Sequence, residues 1–213
     1  MTRNTRSKTL SHPPVFTVGH GTRTLEELIQ LLQAANITKL VDVRSIPKSF
    51  KNPQFNRDTL QESAELQSAG IEYVWFGELL GGRRNAKQPN LAQHKTIRVA
   101  AFRNYAGYMS TPSFKEGLTE LRHLAEELHS SSEGYVAIMC SETLWWRCHR
   151  RMIADSLLTE GWKVQHLGVG KKAMDHTLWD IARVHEGNLV YDGAEHRQST
   201  RRKRLSREPV SVK

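Results

Sequence analysis

Cysteine is nearly absent from this sequence: Cys140 and Cys148 are the only two among 213 residues. A small secreted scaffold carries a larger, even-numbered set, so that class is excluded and both residues are read as free thiols. Long apolar runs are missing as well. No stretch approaches the ~18–20 residues that a bilayer crossing needs, and Met1 to Pro14 lacks the apolar segment of a secretory leader. No membrane association is therefore expected, and a cytoplasmic location is. Also missing are a Gly-x-Gly-x-x-Gly turn, a Gly-Lys-Ser/Thr phosphate loop and a spaced metal motif, so neither a cofactor nor a metal is expected.

Acidic residues are outnumbered, 22 against 31 basic ones, which leaves a net charge of +9. Lys and Arg release condensed counterions when they neutralise phosphates, so a nucleotide or nucleic acid is the expected partner. The excess gathers partly in Met1 to Lys8 and in His196 to Arg207, segments too poor in apolar residues to pack. The expected organisation is a flexible basic extension over 1–14, one α/β domain over 15–190 and a disordered basic tail over 191–213. A tail that merely aids solubility is the competing reading.

Between these ends, strands and helices alternate. Val15 to His20 reads as a strand, followed by Leu25, Leu28, Ile29, Leu31 and Leu32 at helical spacing. Thr24 and Glu27 form a capping box that starts this helix. Lys39 to Arg44 is apolar enough for a strand buried on both faces, which leaves Asp42 and Arg44 as the exceptions to explain. Pro47 and Pro53 exclude regular structure from the next loop. Asp58 to Ala69 reads as a helix ended by Gly70, Ile71 to Phe76 as a strand, and Gly77 to Arg98 as a long glycine- and base-rich loop. Helices are expected around Phe102 to Met109 and from Thr111-Pro112 to Leu128, then a strand over Tyr135 to Cys140. Arg147 to Thr159 reads as a helix, Trp162 to Leu167 as a strand, and Thr177 to His185 as a last helix. The alternation predicts an α/β three-layer sandwich with a mostly parallel, Rossmann-like sheet.

In open α/β sheets ligands bind outside the carboxyl ends of the strands, and there the residues are polar. His20, Asp42, Cys140 and Glu142 are the candidate catalytic groups. Arg23, Arg44, Asn56, Glu78, Arg83, Tyr105, Arg147, Cys148, His149 and Arg150 are the candidate substrate-binding groups, the last four placed at a helix start where backbone N–H groups favour an anion. Each has a structural alternative. Asp42 and Arg44 lie two apart on one face and could simply pair, His20 could cap a helix, and Glu142 could serve only as an acceptor for arginines. Cys140 among cations could be a nucleophile or a small core residue. Zinc held by His20, Cys140, Cys148 and His149 is disfavoured because Cys148 and His149 are adjacent. Trp145 and Trp146 are either core or, with Phe55, Tyr105 or Tyr108, a stacking surface for bases beside Arg44, Arg83, Arg84 and Arg147.

Thr17-Val-Gly-His20 with Thr22-Arg-Thr24, Val41-Asp-Val-Arg44-Ser, Asn52-Pro-Gln-Phe-Asn56, Glu78-Leu-Leu-Gly-Gly82, Tyr105-Ala-Gly-Tyr-Met109, and Met139-Cys-Ser-Glu142 followed by Trp146-Arg-Cys-His-Arg150 occur in that order. In these segments the chain resembles the bacterial family termed domain of unknown function 488 (DUF488). The resemblance implies a compact α/β domain and a site, without naming a reaction. Val41-Asp-Val-Arg44 is also similar to a rhodanese fragment, and Cys140 with Arg147 to the loop of cysteine phosphatases. That loop, however, needs ~5 intervening residues to encircle an anion, and here six intervene, two of them tryptophan.

Two functions compete. The first is an enzyme acting on an anionic, nucleotide- or nucleic-acid-related substrate through the strand-end cluster. The second is a non-catalytic nucleic-acid-binding or sensing module using the basic loop and tail. Thiol-based sulfur transfer or phosphatase action is a minor third.

Overall fold

The computed structural model describes residues 12–193; the basic segments at 1–8 and 196–207 lie outside them. Strands β1 (Val15–Gly19), β2 (Ile37–Asp42), β3 (Glu72–Trp75), β4 (Tyr135–Cys140), β5 (Val164–His166) and β6 (Met174–Asp175) form one sheet in the order β3-β2-β4-β1-β5-β6. All neighbours run parallel except β6, which is antiparallel to β5. This is the expected α/β sandwich. No helix among the described residues is long and apolar enough to cross a membrane.

Alternation along each strand splits the core into two layers. Val15, Val136, Ile138 and Cys140 pack on one face with α5 (Ala100–Tyr108), α6 (Pro112–Ser130) and α7 (Arg150–Thr159). Phe16, Val18, Ala137 and Met139 pack on the other with α1 (Leu25–Gln33), α2 (Arg57–Gln61) and α3 (Ala64–Ser68). Cys140 therefore faces the same side as the start of α7, where Cys148 lies. The Thr24–Glu27 capping box is present, with both reciprocal bonds made, and Thr111 caps α6 with Pro112 in its first turn.

Four expectations need correction. The single helix over Asp58 to Ala69 is two, because Ser63 takes an extended conformation and its hydroxyl caps α3 at Leu66 N–H. The long loop after β3 holds a short helix, α4 (Gly77–Leu80), and a 3-10 turn at Leu91–His94. The helix expected from Arg147 begins at Arg150: Trp145–Arg147 is a 3-10 turn and Cys148 is extended. Of its first-turn N–H groups, those of Arg151, Met152 and Ile153 bond the carbonyls of Cys148 and His149. Finally, Thr177 to His185 is not helical. Ala182–His185 and Asn188–Tyr191 form an antiparallel hairpin, β7 and β8. Glu186 and Gly187 turn it with φ of 50° and 73°, the signs of a type I′ turn, and Glu-Gly is a weak signal for that turn.

Candidate active site

The carboxyl ends of β2 and β4 sit side by side, and the loop after β4 crosses the end of β1. That crossing requires Gly19, since a β-carbon there would lie 2.0 Å from the Glu142 carbonyl oxygen. The loop thus places Glu142 above the sheet, where its carboxylate accepts the Leu144 N–H at 3.1 Å. Between this loop, the segment after β2 and the start of α5 lies a cavity of about 240 Å³. Arg44, Cys140, Glu142, Cys148 and His149 line it together with Arg83 and Arg147, and the last two are exposed.

One wall is anchored by a buried ion pair. Asp42 is fully buried, and its carboxylate accepts Arg44 Nε at 2.9 and 3.0 Å, Arg44 Nη2 at 2.5 Å, the Arg44 backbone N–H at 3.0 Å and the Tyr73 hydroxyl at 2.7 Å. Arg44 also donates to the Phe55 carbonyl at 2.6 Å and lies 3.3 Å from His20 Nε2. His20, stacked on Phe55 at 4.2 Å, directs Nδ1 to the Gly21 carbonyl at 3.0 Å. One tautomer satisfies both contacts: Nδ1–H donates and Nε2 accepts from the guanidinium. Burial, then the Arg44 charge, lower the pKa of His20 to about 4, so near neutral pH it is an uncharged prop for Arg44.

The floor is a thiol–imidazole cluster. His149 Nε2 lies 3.0 Å from the Val43 carbonyl, a contact only a protonated nitrogen can make, so in the neutral ring the lone pair is on Nδ1. Nδ1 is 4.0 Å from Cys140 Sγ and 3.6 Å from Cys148 Sγ. Arg150 Nε donates to Cys148 Sγ at 3.4 Å, and its Nη2 bonds the Glu142 carbonyl. The two thiols are driven apart in acidity. The hydrogen bond to Cys148 and then burial push Cys140 up to about 12. Burial alone would also raise Cys148, but the hydrogen bond from Cys140 and the Arg150 charge outweigh it and bring Cys148 down to about 6.

The imidazole is seated by neighbours. The Tyr105 ring meets it edge-on at 5.1 Å, and Gly82 lies so close that a β-carbon would sit 2.5 Å from Nδ1. Gly82→Ala is therefore expected to displace the ring and cost about 1–3 kcal/mol, as overpacking of a filled interior does. Gly170→Ala, whose β-carbon meets nothing closer than 3.8 Å, is the control. Urea titrations giving equal midpoints for the two variants would contradict this account of His149.

Of the remaining candidates, Arg150 stands behind Cys148. Arg23 clamps the Gly19 and Gly168 carbonyls at 2.7 and 2.6 Å, and Asn56 accepts the Ser49 N–H at 2.7 Å within its own loop. Tyr105 is buried, donating to the Leu80 carbonyl at 2.8 Å, and Glu78 is exposed at the start of α4. None of these five lines the cavity. Ser45, Ile46, Gly82, Ala101 and Phe102 do, and their types gave no sign of it. Sequence reasoning also missed a buried relay. Thr17 Oγ1 meets His166 Nδ1 at 2.7 Å, His166 Nε2 meets His176 Nδ1 at 3.0 Å, and His176 Nε2 meets Asp155 at 2.9 Å. Trp145 stacks on His166 at 4.1 Å, so it belongs to the interior, whereas Trp146 is partly exposed.

A family model described as Domain of unknown function DUF488 matches residues 24–157, a span that contains every residue lining the cavity. No curated protein and no solved structure matches the chain.

Proposed function

The chain belongs to the DUF488 family, and from the residues of its own cavity we propose that it is an enzyme acting on an anionic substrate of the nucleotide or nucleic-acid class. The observation that carries this reading is the meeting of a thiol–imidazole cluster and the Glu142 carboxylate with the exposed cations Arg83 and Arg147 around one cavity. Reactive groups sit at the bottom and anion-binding groups at the mouth. At about 240 Å³ the cavity is smaller than the ~300–1,000 Å³ of ordinary small-molecule clefts. It suits one base or one phosphoryl group of a larger molecule.

Exposed apolar side chains among or near in sequence to cavity-lining residues support the same substrate class. Ile46, which lines the cavity, is 59% exposed, Phe50 in the same loop is 96% exposed, and Trp146 is 39% exposed. Lys48 and Lys51 flank Phe50. Exposed rings among cations are what base stacking with phosphate contact requires. The phosphatase reading gains no support, because the loop's Arg147 and Cys148 N–H groups bond the Leu144 and Trp145 carbonyls rather than pointing at a common centre.

The test is thermal unfolding of the full chain with nucleoside monophosphates, short DNA and RNA strands, or inorganic phosphate, at low and moderate salt. A ligand at 100 times its Kd adds about 2.7 kcal/mol to stability. The expected result is a compound whose stabilisation survives moderate salt, disappears in Arg147→Ala, and persists in Glu142→Gln while conversion of that compound, followed by mass spectrometry, stops. Stabilisation by polyanions alone, erased by salt, would instead identify a non-catalytic basic binding module.

A further inference from the structure

We propose that Cys140, Cys148 and His149 are three ligands of a divalent transition-metal site, with zinc the ion that the donor set suits best and a fourth position open to the cavity. The inference rests on the same cavity as the proposed function, but not on any reaction there. Its basis is distance. Tetrahedral zinc with Zn–S of about 2.3 Å and Zn–N of about 2.0–2.1 Å holds a nitrogen and a sulfur ligand ~3.5–3.6 Å apart, and two sulfurs ~3.8 Å apart. His149 Nδ1 lies 3.6 and 4.0 Å from the two sulfurs, and all three donor atoms fall within 4.8 Å of one another.

The tautomer is the second observation. A ligating histidine gives its other N–H to a fixed acceptor, which orients the ring and raises its basicity. The Val43 carbonyl does this for His149 Nε2 at 3.0 Å. The Nδ1 lone pair is buried, pointed at two sulfurs, and has no other hydrogen-bond donor among the described residues. Arg150 completes the surroundings: its Nε–H reaches Cys148 Sγ at 3.4 Å, an outer contact that a metal thiolate accepts without losing the ion. Two thiolates neutralise a divalent cation, so closing the site buries no net charge.

Three protein ligands with a vacant fourth direction mark a catalytic rather than a structural zinc site. Cys140, Cys148 and His149 all line the cavity, as does Glu142, so the fourth position faces the space where a water or a substrate oxygen would sit. Adjacent Cys148 and His149 argue against zinc only if the chain has to wrap around the ion. Here the extended Cys148 ends a 3-10 turn, His149 is the N-cap residue of α7, and the third donor comes from the end of β4.

The experiment uses the full chain, reduced and stripped with a chelator, then titrated with Co²⁺ and back-titrated with Zn²⁺. Expected are saturation at one ion per chain, a thiolate-to-cobalt charge-transfer band, the strong visible bands of four-coordinate Co²⁺, and their loss as zinc displaces cobalt. Cys140→Ser, Cys148→Ser and His149→Ala should each weaken binding by more than the about 10–100-fold that loss of an outer partner causes. Arg147→Ala should bind cobalt normally while losing anion binding, which separates this proposal from the functional one. No saturable thiolate band in the wild-type chain, or unchanged affinity in a Cys148→Ser chain with native circular dichroism, overturns the site. So does a reduced chain that binds no ion and whose two thiols instead close a Cys140–Cys148 disulfide once diamide is added as the oxidant.

Discussion

Asp42→Ala is expected to lower folding stability by about 3–5 kcal/mol, because it leaves a buried guanidinium without its counter-charge. Asp42 is fully buried and Arg44 is 6% exposed, so water cannot replace the lost carboxylate. Tyr73 also loses the acceptor of its hydroxyl. The size of the effect lies in breaking the pair rather than in the pair itself: an ion pair replaced whole by apolar residues of similar volume is often neutral or better. Asp42→Leu combined with Arg44→Met should therefore recover most of the loss, whereas Arg44→Met alone should not. Guanidinium denaturation of the four chains decides it. A single Asp42→Ala change worth under about 1 kcal/mol would mean that the carboxylate is solvated and that the wall of the cavity is not held as described.

The second large effect concerns acid. Burial, as the leading cause, lowers the pKa of His20 and His94 to about 4 and of His166 to about 3, against ~6.5 in an unfolded chain. These groups have depressed folded values, so as pH falls below ~6.5 the unfolded chain takes up protons that the folded chain refuses. Stability is fully present above that pH, is lost as it falls, and stops falling from this cause once the folded values are passed. With three such groups the slope reaches roughly 2–4 kcal/mol per pH unit near pH 5, a large share of the ~5–15 kcal/mol that folded domains possess. Urea midpoints between pH 7.5 and 4.5 measure it directly. His94→Gln, which keeps an acceptor for the Tyr191 N–H, should remove about a third of the slope. A flat profile down to pH 5 would refute the neutral, buried state of these rings.

The fold was legible wherever a local rule acts alone. β1, β2 and β4 are apolar runs, α1 and α6 begin at side-chain caps, and Pro112 stands where a helix tolerates it. Elements decided by tertiary contacts were not. Ala182 to His185 alternates and Leu189 to Tyr191 is apolar, but Glu186 adopts positive φ at the turn position where Asn, Asp or Gly would announce the hairpin. The site follows the same division. The strand-end rule located Arg44, Cys140 and Glu142, since it depends only on where a strand stops. Strand alternation allowed the Asp42–Arg44 pair without deciding for it, and nothing in the sequence told that both nitrogens of His20 are engaged or that the Val43 carbonyl sets the tautomer of His149. Those last facts depend on partners 24 and 106 positions away, which periodicity does not encode. The relay of Thr17, His166, His176 and Asp155 was invisible for the same reason.

Asp155 gives the carboxyl-terminal segment a meaning of its own. One of its oxygens accepts from His176 and from the Trp179 N–H at 2.9 and 3.0 Å, and the other accepts the Tyr191 hydroxyl at 3.0 Å. Its carboxylate sits on α7, inside the span shared with the family, while all three donors come from beyond residue 157. The limit of family likeness is thus not a seam in the molecule. Residues 174–191 act as a buckle fastened to α7, and a chain cut at the family boundary would keep the latch, a carboxyl group, without the three donors that close on it.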